Sequence, residues 1–231
     1  MAGNQRIFNT MTTTHAGRHF LPAAGRDLFL PLYDPFTWLA GVDGLRRLLL
    51  EQAALRPAIR VLDVGCGTGT LPILTKRLHP TITVIGVDPD PKALARAERK
   101  ARAADVSVHF ERGFADSLAY PDASFDRVFS SLMFHHLGKN EKERSLREIR
   151  RVLRPGGRLE FLDIANAGSH AHGRLARLLH PPEQMKDNVD ERIVQLMTTA
   201  GFIGAKKIRE RRLIFGNVAF FQAAAPDPTR A

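Results

Sequence analysis

The chain has 231 residues, 44% of them hydrophobic, which is enough for one domain with a sizeable core. Its single cysteine, Cys66, excludes an internal disulfide and a thiolate cluster for zinc or iron and sulfur, so we expect a cytosolic compartment. The formal net charge of +10 favours anionic partners such as nucleic acid, acidic lipid surfaces or phosphorylated substrates, but it identifies none of them.

The amino-terminal region predicts an arm followed by a lid. Residues 1–25 are polar and have no period, which predicts a flexible, loosely packed arm without the apolar core of a signal peptide. Residues 26–57 predict a helical lid, whose apolar and aromatic first part is broken by Pro31 and Pro35. No window of the chain approaches the roughly 18 uninterrupted apolar residues of a membrane span.

From residue 59 onward, strand patterns alternate with helix patterns. Strands are predicted at 59–64, 82–87, 106–111, 126–130 and 158–164, and helices at 71–78, 91–104 and 141–153. This alternation is typical of right-handed crossover units, which build a parallel sheet with helices on both faces.

The carboxyl-terminal region departs from this alternation. A helix predicted at 189–200 is followed by strand patterns at 206–215 and 218–223, joined by Gly216 and Asn217. A connection this short cannot contain a crossover helix, so we predict an antiparallel hairpin.

These elements predict one α/β domain over residues 26–231. Its architecture is a doubly wound, Rossmann-like, seven-stranded sheet that is mostly parallel and ends in the antiparallel hairpin. Residues 166–187 lie between the last parallel strand and the hairpin region and are predicted to be an insertion on the substrate side.

A glycine-rich turn after the first of these strands is the main candidate for a ligand site. In VLDVGCGTG, Gly65, Gly67 and Gly69 alternate directly after the acidic end of the strand. The first exit loop of an open parallel sheet is the usual nucleotide-binding loop. Glycine suits this loop because the turn requires positive φ angles and because a side chain would keep a ligand away from the backbone amides. The alternative is a purely structural turn.

The spacing within this loop indicates which nucleotide is bound. Gly-Cys-Gly-Thr-Gly is one residue shorter than the G-x-G-x-x-G that seats a dinucleotide pyrophosphate, which disfavours an NAD-dependent enzyme. The next strand ends in Asp88, whose carboxylate can accept hydrogen bonds from ribose hydroxyls, cap the helix that begins at Pro91, or do both. The predicted ligand is therefore a nucleoside without a pyrophosphate.

Four motifs, in order, extend this prediction: VLDVGCGTG, VDPDP, FDRVFSSLMFHHL and RVLRPGG. Together they resemble class I S-adenosylmethionine-dependent methyltransferases, in particular the small-molecule group that includes the ubiquinone and menaquinone biosynthesis enzymes. The resemblance runs from Tyr33 to Ile164. It implies S-adenosylmethionine as cofactor, S-adenosylhomocysteine as product and methyl transfer by in-line displacement.

The resemblance also implies a set of cofactor-binding residues. Asp63 and the loop from Gly65 to Gly69 would hold the methionine part, and Asp88 the ribose. The full set is Tyr33, Asp63, Gly65, Cys66, Gly67, Thr68, Gly69, Asp88, Pro89, Gly113, Phe114, Ala115, Ser130 and Ser131. Relatives often carry an aspartate for the adenine amino group where this chain has Phe114, so adenine would be held by ring contact and backbone amides, helped by Asp116.

His135 and His136 are the candidate catalytic residues. They follow the fourth strand at the rim where acceptor and methyl donor would meet, and an imidazole there can accept a proton from the acceptor. Alternatively, one of them caps the next helix or orders the loop, and proximity alone supplies the rate enhancement. Cys66 has no evident partner base, which disfavours a nucleophilic role, and no metal ligands are predicted.

The acceptor is predicted to be a small, mainly apolar molecule. The lid, the run Leu132 to Phe134 and the insertion would surround the methyl group, and such a pocket prefers apolar ligands. The same aromatic side chains are alternatively ordinary core packing. A basic helix with four arginines would contact an anionic membrane that holds such an acceptor, or else form a solvated outer face. These arginines are Arg147, Arg150, Arg151 and Arg154.

Two other functions stay open at this point. An RNA methyltransferase would explain the charge, although the chain has no Asn-Pro-Pro-Tyr or Asp-Pro-Pro-Tyr loop and no Pro-Cys pair. The second alternative is a module that binds S-adenosylmethionine without turnover.

Overall fold

A computed structural model describes most of the predicted domain. The described residues are 13–15, 18–20, 42–165, 190–213 and 216–230. The predicted lid up to residue 41, with Tyr33, and the predicted insertion at 166–187 lie outside the described residues. Within the predicted arm, β1 (Thr13–His15) and β2 (Arg18–Phe20) pair as a short antiparallel ladder.

The remaining elements follow the predicted order. They are α1 (Val42–Ala53), β3 (Arg60–Val64), α2 (Thr70–Leu78), β4 (Thr83–Asp88), α3 (Pro91–Ala103), β5 (His109–Arg112), β6 (Phe125–Ser131), α4 (Lys139–Val152), β7 (Leu153–Ile164), α5 (Asp190–Thr199), β8 (Ile203–Leu213) and β9 (Gly216–Ala224). A 3₁₀ turn, Phe134–His136, lies between β6 and α4. None of the described helices is both long and apolar enough to cross a bilayer.

The large sheet confirms the predicted architecture. Its seven strands have the order β5-β4-β3-β6-β7-β9-β8. Strands β3 to β7 pair in parallel, whereas β9 is antiparallel to both β7 and β8. The order reverses between β3 and β6, and a ligand crevice in such a sheet lies outside the carboxyl ends of the strands at this point.

Helices cover both faces of the sheet. Residues Val61 to Val64 of β3 are all buried, as expected for a strand with helices on both sides. On one face, Leu62 and Val128 belong to a cluster with residues of α4 and α5. On the other face, Val61 and Phe129 belong to a cluster with residues of α1 and α2. The two clusters bury the central strands on both faces, and the carboxyl ends of these strands are well placed to support a site.

The hairpin is confirmed, but its predicted connection is wrong. Gly216 and Asn217 lie within β9 and pair with Leu213 and Arg212 of β8. Turn chemistry favours glycine and asparagine, but tertiary contacts override it here. The Asn217 carbonyl accepts a hydrogen bond from the Ala165 amide at 2.9 Å, which keeps this residue in the sheet.

Candidate active site

The glycine loop is fastened to the neighbouring strand by backbone hydrogen bonds. The amides of Gly65 and Cys66 both donate to the carbonyl of Val87, at 2.8 and 3.0 Å. Gly65 and Gly69 have φ angles of 74° and 75°, which confirms the expected need for glycine. A Cβ on Gly65 would lie 2.2 Å from Cγ of Met133. The loop therefore has no room for a side chain at this position.

Asp88 orders the same loop from the end of β4. Its Oδ2 accepts a hydrogen bond from the Gly67 amide at 2.8 Å, and its Oδ1 accepts one from the Asp90 amide at 3.0 Å. The helix cap is Asp90, whose Oδ1 accepts from the Lys92 amide at 2.8 Å, so the capping role considered for Asp88 is wrong. A carboxylate offers about four lone-pair sites, so Asp88 retains capacity for ribose hydroxyls.

Asp63 is a buried carboxylate at the end of β3. Burial raises its pKa from 3.8 to about 7; the charge of Arg46 lowers the pKa, and that of Asp88 raises it further. Its Oδ1 has no hydrogen-bond partner within the described part of the chain. A buried carboxylate oxygen without a partner is energetically costly, and a cationic ligand group would relieve that cost.

Two serine hydroxyls lie at the same edge of the sheet. Ser130 and Ser131 end β6, the strand that pairs directly with β3. The Oγ atoms of both are buried and, among the described residues, have no hydrogen-bond partner. Together with Asp63 they form a set of unsatisfied polar atoms that suits the charged amino acid end of a ligand. The residues present therefore fit the cofactor that the sequence predicts.

The predicted adenine segment follows β5. The Gly113 amide donates to the Asp88 carbonyl at 3.2 Å, and Phe114, which is half-buried, forms an isolated backbone bridge with Ser117. Ala115 packs against the main core cluster. The Oδ2 of Asp116 accepts from the Arg144 guanidinium at 2.9 Å, and its expected role toward adenine stays a prediction.

Three further residues of the predicted set support the loop. The Cys66 thiol is buried, and burial followed by the charges of Asp88 and Asp63 raises its pKa, which does not suit a nucleophile. The Thr68 hydroxyl accepts from Lys100 Nζ of α3 at 3.3 Å. The Pro89 carbonyl accepts from Arg112 Nε at 3.1 Å.

The two histidines have different environments in the turn after β6. His135 is buried, and its Nδ1 lies 2.6 Å from Oδ1 of Asp163 at the end of β7. His136 is half-buried, and its ring lies against the His135 ring with centroids 4.0 Å apart. Asp163 is not among the site residues predicted from the sequence. A signal was present, because Asp163 stands near the end of a predicted strand, as Asp63 and Asp88 do.

The apolar run after β6 is divided between rim and core. Met133 is half-buried and covers Gly65, and Leu132 adopts a φ of 55°, a strained value for a residue with a side chain. Phe134 is fully buried and packs edge to face on Phe161 at 5.1 Å. Its expected place around the methyl group is therefore wrong, because the 3₁₀ turn directs its ring into the core.

The four arginines of the basic segment all have partners within the fold. Arg151 donates to Glu148, Asp122 and two backbone carbonyls. Arg154 contacts Asp126, and the other two, Arg147 and Arg150, contact Glu143 and the Gly201 carbonyl. Contact of this segment with an anionic membrane stays a prediction.

The chain is similar to known methyltransferases. A family model described as a methyltransferase domain matches residues 61–157. A demethylmenaquinone methyltransferase from Deinococcus radiodurans is 34% identical over 210 residues, covering 80% of this chain and 85% of the relative.

Two solved structures share the fold. A SAM-dependent methyltransferase from Aquifex aeolicus has a TM-score of 0.62 at 21% identity, covering 78% of this chain and 89% of the other. The [4+2]-cyclase SpnF has a TM-score of 0.64 at 23% identity, with 80% and 81% covered. At these identities the likeness shows the fold alone. The assignment of a reaction therefore rests on the similarity to the Deinococcus radiodurans enzyme and on the residues of the site.

Proposed function

The chain belongs to the class I S-adenosylmethionine-dependent methyltransferases, and from that membership we propose that it methylates a ring carbon of a reduced, lipophilic quinone precursor. The enzyme uses S-adenosylmethionine and acts on a small-molecule acceptor. The observation that carries the acceptor proposal is the similarity, over most of both chains, to an enzyme named for demethylmenaquinone. The half-buried apolar rim at Leu132 and Met133 supports such an acceptor.

The proposed cofactor contacts follow from the unsatisfied atoms of the site. Asp63, Ser130 and Ser131 would hold the amino acid part, because each has a buried oxygen without a hydrogen-bond partner in the described part of the chain. Asp88 would hold the ribose hydroxyls while it keeps the Gly67 amide in place. When bound, S-adenosylmethionine supplies a methyl group on a positively charged sulfur, which leaves as a neutral thioether.

Cofactor affinity is expected to rise with pH. The pKa of Asp63 is raised to about 7 and that of Asp88 to about 6, in both cases first by burial. A ligand ammonium and ribose hydroxyls interact best with the ionised carboxylates, so at low pH binding must first release protons. We expect the affinity for S-adenosylhomocysteine to increase at least about tenfold from pH 5 to pH 8. Calorimetry in buffers of different ionisation enthalpy would show proton release near pH 6.

Asp63 and Asp88 also determine how the stability of the unliganded fold changes with pH. Both folded pKa values lie above the ordinary 3.8, so these groups contribute stability that is complete below about pH 4 and is lost as the pH rises through 6 and 7. Bound ligand favours the ionised forms and offsets this loss. Thermal stabilisation by S-adenosylhomocysteine should therefore be larger at pH 8 than at pH 5.5, and equal shifts would contradict the assignment.

The proposed reaction is a displacement at the methyl carbon. A bond forms between an electron-rich ring carbon and the methyl group, the sulfur–methyl bond breaks, and its electron pair remains on sulfur. The ring carbon then loses its proton and regains aromaticity. Reduction of the quinone matters because a hydroquinone ring is nucleophilic, above all when one hydroxyl has lost its proton. We assign acceptance of that proton to half-buried His136 at the rim, whose ring lies beside that of His135.

A direct assay tests the acceptor. Full-length protein is given S-adenosylmethionine and a short-chain demethylmenaquinone, either reduced or oxidised, and products are measured by mass. We expect a mass gain of one methyl group with the reduced compound only. The control is the matching menaquinone, whose ring position is already methylated. Absence of transfer, with S-adenosylhomocysteine binding intact, would remove the acceptor and leave the family assignment in place.

We propose that the acceptor is held in a membrane. We propose the cytoplasm as the compartment of the protein, because the chain has a single cysteine. The edge strand β8 presents exposed basic residues at Lys206, Arg211 and Arg212. Their exposure on an edge strand makes them candidates for contact with anionic lipid, in addition to the arginines of α4. The assay therefore includes acceptor in phosphatidylglycerol vesicles and in neutral vesicles; equal rates would argue against lipid contact.

A further inference from the structure

A buried polar network lies behind the rim, where the cofactor contacts do not reach. Asp163 is fully buried, and its Oδ1 accepts from the Ile164 amide at 2.7 Å and contacts His135 Nδ1 at 2.6 Å. Its Oδ2 accepts from the amides of Phe134 and His135, at 2.8 and 3.3 Å. This carboxylate thus orders both the backbone of the turn after β6 and one of its two histidine rings.

Asp163 is ionised and therefore defines the protonation pattern of the His135 ring. Burial raises the pKa of Asp163, but the charge and hydrogen bond of His135, the Ile164 amide and the Lys142 charge outweigh it and lower the pKa overall. An ionised carboxylate only accepts hydrogen bonds, so Nδ1 of His135 must carry the proton that lies between them. In the neutral ring, Nε2 is then the acceptor nitrogen.

A buried lysine, Lys142, lies in the same part of the core as the Asp163–His135 pair. It is fully buried on α4, and its Nζ lies 5.5 Å from the centroid of the Phe134 ring. Buried charges persist only when they are compensated, and the Lys142 charge is among the groups that lower the pKa of Asp163, after the charge and hydrogen bond of His135 and the Ile164 amide. His135 is itself buried, and its Nδ1 is already engaged by Oδ1 of Asp163 at 2.6 Å. The arrangement suits a positioning role for Asp163 and His135 better than it suits His135 as the proton acceptor.

We infer that Asp163 is a positioning residue for methyl transfer, which fixes the tautomer and orientation of His135 and, through contact between the two imidazole rings, the place of His136 at the rim. The inference rests on the proposed function, since it presumes a reaction at that rim. The order of the groups, from β7 to the rim, is Asp163, His135, His136. Lys142 adds a further positive charge that lowers the pKa of this carboxylate within the core.

The test uses Asp163→Asn, Lys142→Met and the double variant of both. Asp163→Asn alone leaves the Lys142 charge uncompensated and is expected to lose stability. The double variant removes both charges and should regain it, in the manner of a buried ion pair replaced as a unit. If Asp163 positions the histidines, the double variant binds S-adenosylhomocysteine as the wild type does, yet turns over more slowly, by up to about ten-thousandfold, the loss seen in a catalytic triad when its aspartate becomes asparagine.

A second measurement needs no acceptor. Nitrogen-15 NMR of the histidines should show His135 protonated at Nδ1 in the wild type and in Lys142→Met, and loss of that preference in the double variant. Asp122→Asn, a matched change at an exposed carboxylate, should leave every measurement unchanged.

Two results would overturn the inference. Wild-type turnover in the Asp163→Asn, Lys142→Met double variant would show that Asp163 only balances charge. A wild-type His135 protonated at Nε2 alone would show that Asp163 does not fix the tautomer. Failure of the quinone to react even with wild type would count against the acceptor only, because the NMR result still decides the role of Asp163.

Discussion

Gly65→Ala is expected to reduce cofactor affinity about hundredfold or more. The new Cβ would lie 2.2 Å from Cγ and 2.7 Å from Cβ of Met133, and the residue would have to keep a φ of 74°. Strain of this kind costs about 1 to 3 kcal/mol and overpacking costs a similar amount, so the loop must move. Titration calorimetry with S-adenosylhomocysteine on folded protein measures the loss.

A control for Gly65→Ala separates strain from contact. Gly204 also has a positive φ, 61°, but a Cβ there meets nothing within 4 Å. Gly204→Ala should therefore lose some stability and keep its cofactor affinity. Adding Met133→Ala to Gly65→Ala should recover part of the binding, since it removes the side chain that the Cβ would strike. Normal affinity in Gly65→Ala would show that this turn does not approach the ligand.

Asp88→Ala is expected to weaken cofactor binding by roughly 1.5 to 3 kcal/mol, or tenfold to about a hundred and fiftyfold. The variant loses the proposed acceptors for the ribose hydroxyls and also the bond that holds the Gly67 amide at 2.8 Å. Asp88→Asn keeps one side-chain oxygen but no charge, so its affinity should lie between wild type and Asp88→Ala. Fluorescence or calorimetric titration of S-adenosylhomocysteine at pH 8 distinguishes the three proteins.

The neighbouring carboxylate provides the matched control for this change. Asp90 caps α3 through the Lys92 amide, and loss of such a cap lowers stability by about 1 kcal/mol. Asp90→Ala should consequently melt earlier and bind nearly as tightly as wild type. An Asp88→Ala variant that differs from wild type in stability but not in affinity would assign Asp88 a structural role alone.

The sequence was sufficient for the features that depend on neighbours along the chain. Alternating strand and helix patterns predicted the order of elements, because periodicity reflects which face of a single element is buried. Glycine spacing in VLDVGCGTG predicted the positive φ angles at Gly65 and Gly69, because a tight turn is a local problem of backbone geometry. Asp88 was predicted at its position because it directly ends a strand; Tyr33 lies outside the described residues and stays a prediction.

Tertiary structure decided the features that depend on how the strands are ordered in the sheet. Asp163 meets His135 only because β7 lies beside β6, which brings together residues 28 positions apart. The burial of Lys142, the cover of Gly65 by Met133 and the inward turn of Phe134 arise in the same way. Residue type and period carry no information about which distant side chain fills a given space, because packing and charge compensation are settled between elements once the sheet has formed.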